Sequence, residues 1–164
     1  MTIKKAFIAE IEKEAVSTKK ILEAVKAENF AWKPHEKSMT TKSLAIHIAG
    51  LFDFINLIIQ TDELDLKSAD FKVPPINNTT DLINYLDASV AACILSLQQI
   101  DDNVLENVWT MKMGDYIISK TSKASSIRTM ALNHLIHHRG QLSVYLRLLN
   151  IPVPGMYGPS ADEK

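Results

Sequence analysis

Three of the five histidines in the chain fall within one short stretch, "NHLIHHRGQL", residues 133–142. An α-helix turns about 100° per residue. His134 and His138, four residues apart, therefore share a face, with Cβ atoms about 6 Å apart. That spacing lets two imidazoles grip one cation, as in the helical HExxH zinc motif. Leu135 stands where that motif carries its glutamate, so the general base of a metalloprotease is missing. With His134 set at zero, Ile127, Met130, Ala131, Leu142, Tyr145, Leu148 and Leu149 cluster near about +40°. His138 falls close to the centre of this apolar stripe, His134 beside it and His137 at its margin. Arg139, Gly140 and Arg147 turn away from the centre and read as structural or interface residues.

A metal site usually needs a third protein ligand, and His47 is the candidate. Leu44, Leu51, Phe54 and Ile58 flank it on one face of an earlier helix, so it too points inward. Three inward histidines on two helices can close a three-nitrogen site whose remaining positions stay open to water or substrate. The alternative is that each is a core histidine satisfied by hydrogen bonds. Burying three imidazoles without a ligand leaves up to three donors to satisfy, each costing about 1–3 kcal/mol if unmet. One shared cation satisfies all three, so the grouping favours a metal. Imidazole suits zinc, nickel, copper and iron alike. His137 reads as a residue behind or outside the site, and His35 as solvated.

Four amphipathic helices are needed to position these residues. The first spans about Ile3 to Val25, with Phe7, Ile11, Ala15, Thr18, Leu22 and Val25 inward and lysines and glutamates opposite. The second spans about Thr40 to Gln60, with Ser38, Thr40 and Thr41 all suited to cap it. Leu44, His47, Leu51, Phe54, Ile55 and Ile58 share its face, with Lys42, Asp53, Asn56 and Gln60 opposite. The third spans about Thr80 to Ile100, with Leu82, Leu86, Val90, Cys93, Leu97 and Ile100 inward. The fourth spans about Ser122 to Leu149 and stops at "NIPVPG", because proline cannot continue a helix. The polar connection 61–79 is long enough to return the chain so that helices two and three run parallel. Residues 104–119, around Gly114, read as a small β-hairpin. Four such helices bury their stripes most simply as one four-helix bundle.

The chain has 164 residues, a length that suits one domain over 1–164, and 46% hydrophobic residues, enough for a core. A net charge of −1 gives no basic stripe for nucleic acid. The single cysteine, Cys93, excludes an internal disulfide framework and reads as a small core residue in a reducing compartment. The N-terminus is charged throughout, unlike a signal peptide. The longest apolar run, "LAIHIAGLFDFINLII", is interrupted by His47, Asp53 and Asn56 and reads as too short for a bilayer. The expectation is a cytoplasmic protein with no membrane partner.

The stretch "SMTTKSLAIHIAGL", followed far downstream by "NHLIHHRGQLSVYLRLLNIPVPGMYGPSADE", resembles the DinB/YfiT-like family of small metal-binding helical proteins. "WKPHEKSMT" resembles the family's loop before its second helix. The likeness runs from the first helix to the tail. It is most specific in "HxxxHRGQLxxYLR" and "PVPxxYGPSADE" and least so over 61–121. The resemblance implies an all-α four-helix bundle with up-down-down-up topology. It also implies a divalent metal (zinc, nickel, iron or manganese) on His47, His134 and His138, and assembly as a homodimer. Some related proteins resemble transferases that join a low-molecular-weight thiol, of the bacillithiol or mycothiol type, to an electrophile. Others resemble hydrolases.

Three neutral imidazoles leave a metal its full charge, which acidifies a bound thiol or water. Hydrolysis usually wants a carboxylate nearby to shuttle the proton, and the inward faces of helices two and four offer none. Thiol transfer needs that base less, so the first expectation is a metal-dependent S-transferase acting on a small molecule. A hydrolase and a non-catalytic metal or small-ligand binder are the alternatives. Gln141 and Tyr145 lie on the His134/His138 face and are candidates to orient a substrate, a water or a metal-bound ligand. Tyr145 reads equally well as core with its hydroxyl at the edge. Trp32 and Trp109 read as packing anchors, and Met111 and Met113 as alternating strand residues. The Pro- and Gly-rich tail is expected to be ordered and folded against the helices.

Overall fold

Short polar side chains open each long helix. In the computed structural model, which describes residues 2–163, Thr2 caps α1 (Ile3–Glu23) by accepting from the Lys5 amide. Thr40 caps α2 (Thr41–Gln60) through the Ser43 amide at 3.1 Å. Asn78 caps α3 (Thr79–Gln99) through Asp81, and Ser122 caps the last helix through Ser125. Each cap satisfies an amide that has no partner inside the helix. Of the three caps compatible with the sequence, Thr40 holds the position, while the Thr41 hydroxyl turns back to donate to the Trp32 carbonyl.

The last helix is built in three parts, all in right-handed helical geometry. These are α4 (Lys123–Ser126), one π-helical stretch (Ile127–Leu132) and α5 (Asn133–Leu148). Such π turns are rare and concentrate at functional sites. This one ends two residues before His134.

Helix α1 packs chiefly on α3, α2 on α3 and α5, and α5 closes back on α1. Polar contacts fix the pairings. Lys19 pairs with Asp87 at 2.7 Å, and the Thr79 hydroxyl donates to the Val25 carbonyl at 2.6 Å. Gln60 reaches Ser96, Lys123 donates to the Ile59 carbonyl at 3.0 Å, and Arg128 grips Glu10 through two bonds of 2.5 and 2.6 Å. The core between the helices holds Ile11, Leu22, Leu44, Ile48, Phe52, Leu82, Leu97, Leu142 and Leu146, all fully buried.

The chain is mostly helical, as expected, and the hairpin expected before the last helix is present as part of a three-stranded sheet. Strands β2 (Val108–Met113) and β3 (Tyr116–Ser122) form the hairpin, three to four residues later than expected. Its turn is a two-residue loop in which Gly114, at φ 59°, takes the left-handed conformation that glycine adopts without a Cβ penalty. Strand β1 (Glu63–Asp65) adds to β2 in parallel. It lies inside the connection that reads as plain polar loop. Three residues with only Leu64 inward are too short a pattern to register as a strand. Trp109 on β2 is fully buried against Phe54 and donates to the Thr61 hydroxyl, as a packing anchor should.

Helices α2 and α3 are both long and apolar enough to cross a membrane by length and composition, which corrects the reading of the apolar run as too short. Half of that apolar window in α2 is buried, where the helix packs on α3 and α5. Part of its polar side is covered as well. Asp53 and Asn56 are half-buried, and Asn56 accepts a short hydrogen bond from Ser96.

Candidate metal centre

The helix turn that brings His134 and His138 together also decides how far each is covered. The buried side of the last helix holds Ile127, Ala131, Leu132, Leu135, His138, Arg139, Leu142, Tyr145 and Leu146. Its centre lies near Leu142, about 40° further round than the sequence wheel placed it. Leu148 is consequently exposed, Met130 only half-buried, and Arg139 buried. His138 keeps 7% exposure, while His134 sits half-buried at the edge. From α2, half-buried His47 completes the group, and the ligand-capable nitrogens of the three all lie within 4.8 Å of one another. Among the described residues no carboxylate or thiol joins this cluster.

Hydrogen bonds set the rings. His134 Nδ1 faces the Met130 carbonyl of the π turn at 3.3 Å, and His138 Nδ1 meets the Gln141 side-chain oxygen at 2.7 Å. A carbonyl oxygen only accepts, so the tautomers that satisfy both contacts carry the proton on Nδ1 and leave Nε2 bare. The two Nε2 atoms then face each other at 2.7 Å, with His47 Nε2 3.5 Å from that of His134. Converging lone pairs repel unless a positive charge lies between them. Protons are a poor choice. Burial, then the neighbouring His138 and His134, hold the His47 pKa down to about 4. Burial also lowers that of His138, against the opposing pull of Gln141. The donor set therefore fits a divalent ion, which neutral imidazoles bind and protonated ones do not.

Gln141, exposed on the next turn, fixes the outward nitrogen of His138 and with it the orientation of the ring. Tyr145 is buried instead. Its hydroxyl donates to the Met39 carbonyl at 3.3 Å, and its ring meets Trp32 edge-on at 5.5 Å, which makes it the packing residue of the two readings. His137 is exposed beside His138, and His35 is exposed in the loop before α2. Asp53, the carboxylate on α2 nearest in sequence to His47, lies against Tyr85 and Cys93. There burial first and its charge second push both up to about 12.

The sequence reading missed Glu14. It lies on the side of α1 assigned to solvent, yet it is buried and paired with Arg139. The Glu14 carboxylate also accepts from the Tyr157 hydroxyl in the tail at 2.9 Å. The signal was present as a fold of the helix period, since Glu14 sits between Ile11 and Thr18 at three- and four-residue steps.

A family model, that of the DinB family, matches residues 1–164. The chain belongs to the DinB family. Two Bacillus subtilis (strain 168) proteins are similar to this DinB chain. The uncharacterized protein YrdA is 27% identical, covering 96% of this chain and 89% of YrdA. The uncharacterized protein YjoA is 22% identical, covering 79% and 80%. A crystal structure of a DinB-like protein from Bacillus cereus ATCC 10987 superposes with a TM-score of 0.72 at 23% identity, over 93% of this chain and 97% of that one. A putative DinB family member from Exiguobacterium sibiricum 255-15 gives 0.65 at 20% identity, over 100% and 99%. These structures show that the DinB fold is shared.

Proposed function

We propose that this DinB protein holds one divalent metal ion on His47, His134 and His138 and uses it on a small-molecule substrate, with thiol S-transfer as the reaction. The observation that carries the reading is the convergence of three imidazoles whose ligand-capable nitrogens lie within 4.8 Å of one another, two of them with their Nδ1 atoms turned to acceptors. When bound, such an ion supplies Lewis acidity that favours the ionised form of a thiol ligand. Gln141 keeps the His138 ring in register, and the Met130 carbonyl does the same for His134. Half-buried His47 and His134 leave the centre approachable by a small molecule from one side. No Asp or Glu among the described residues joins the cluster, which favours a reaction with little need of a carboxylate base over hydrolysis.

The helix contacts support an up-down-down-up bundle. Lys4 and Lys19 of α1, and Val25 just beyond its end, meet Asp102 just beyond α3 and then Asp87 and Thr79 within it, so the two helices run in opposite directions. Positions 56 and 60 of α2 meet Ser96 while Gly50 meets Tyr85, in the same order. A homodimer in the cytoplasm, with neither nucleic acid nor membrane as partner, completes the reading.

The experiment is metal content of tag-free protein, with His47→Ala and His138→Ala checked for helicity. About one divalent ion per chain, lost in both folded variants, is the expected result. The thiol reaction is then assayed with the ion found. A wild-type protein that takes up no metal on reconstitution would overturn the proposal. Metal uptake without thiol transfer would leave a metal-binding protein and discard the transferase.

A further inference from the structure

Consecutive residues of α5 fasten it to two different helices. His138 reaches the His47 cluster on α2. Arg139, 2% exposed, turns about 100° away into a socket on α1. One guanidinium nitrogen donates to the Glu14 carbonyl at 3.1 Å and the Thr18 hydroxyl at 3.2 Å. The other donates to the Glu14 carboxylate and the Tyr157 hydroxyl, both in short bonds. Tyr157 in turn donates to Glu14 at 2.9 Å, and its ring lies 5.4 Å from the guanidinium carbon. Next to it in the tail, the Met156 carbonyl accepts from Ser17 of α1 at 3.1 Å. A helix turns as one body. The rotation that seats Arg139 on α1 is therefore the rotation that aims His134 and His138 at His47.

Tyr157 is the one member of the socket supplied by the tail, and it is 63% exposed. The Arg139 side chain already has one buried nitrogen, Nε, without a partner. Loss of the Tyr157 oxygen removes a further acceptor and opens the Glu14–Arg139 pair to water.

We propose that Glu14, Arg139 and Tyr157 are positioning residues of the histidine centre, so that docking of the C-terminal tail and metal occupancy are coupled. This rests on the metal reading above. Coupling of this kind is reciprocal: a docked tail tightens metal binding, and bound metal holds the tail down by the same factor.

The test uses zinc as the probe on the full chain, with affinity measured by chelator competition and tail exposure by hydrogen exchange over residues 152–163. Tyr157→Phe removes a single oxygen from an exposed ring and leaves the helices folded. It is expected to weaken zinc binding roughly 5- to 10-fold. In the wild type, zinc slows exchange in the tail; in Tyr157→Phe it does so less. Arg139→Lys is not expected to rescue, because one ammonium cannot span Glu14, Thr18 and Tyr157 as the guanidinium fork does. Unchanged zinc affinity in Tyr157→Phe, with tail exchange indifferent to zinc, would reduce the socket to a stability element and overturn the coupling alone. A wild type that binds no zinc would overturn both this inference and the metal reading.

Discussion

The three histidines are separated in sequence by 87 and four residues, and their chemistry follows from small details around each ring. Gln141 is the clearest. It touches only the far nitrogen of His138, yet that contact selects the tautomer that offers Nε2 inward. Gln141→Ala is expected to weaken metal affinity by about tenfold, the range typical of partners that orient a ligand. The helix should stay intact, as metal titration beside circular dichroism will read. The metal-free protein should also be acid-sensitive in a particular window. An unfolded His47 takes up a proton near pH 6.5, whereas the folded one resists until about 4. The unfolded state therefore binds more protons between those values, and stability falls as pH drops through them. His138 is shifted in the same direction. Urea midpoints at pH 7.5, 6 and 5 should decline, and His47→Gln should flatten the slope. An equal slope in that variant would place the acid sensitivity elsewhere.

At the scale of elements, helix extents and the cap of the second helix followed from composition and period, because both are local. The second helix begins one residue from where its pattern begins, and Thr40 closes its first turn. Thr40→Ala should cost about 1 kcal/mol, read as a lower urea midpoint with unchanged helix content. Rotation was less legible. The wheel for the last helix treats all its residues as ideal α, while Ile127–Leu132 winds as a π turn. It also weights apolar residues alone, so it could not count Arg139 as buried. The same blindness hid Glu14, and for the same reason: a charged residue is buried only where its partner waits, and that partner lies 125 residues away. Strand β1 was invisible because a three-residue strand exists only by pairing with β2, 47 residues downstream.

Across the whole molecule, the Glu14–Arg139 pair joins the first and last helices and receives the tail. Removing one member strands the other charge in the core. Arg139→Met should therefore destabilise the fold by about 3–5 kcal/mol. Glu14→Leu combined with Arg139→Met should recover much of that loss, since neither charge then stays behind. Denaturant unfolding of the two variants separates this from simple loss of packing. The tail is ordered by its own ties as well: Arg147 clasps Asp162 through bonds of 3.0 and 2.6 Å, and Glu163 accepts from the Gly155 and Ser160 amides.

By itself the sequence determined the four helical segments, their breakers, and the pairing of His134 with His138. All of these are set by the 3.6-residue period within a single segment. It pointed to His47 by type and by the face it occupies. Only the tertiary structure decided that His47 meets the pair, that Gln141 rather than Tyr145 bonds one of its rings, and that Arg139 and Glu14 turn inward. Each of those depends on which helix lies beside which. Neighbours so distant along the chain are chosen by the packing of the entire core, which no local pattern records.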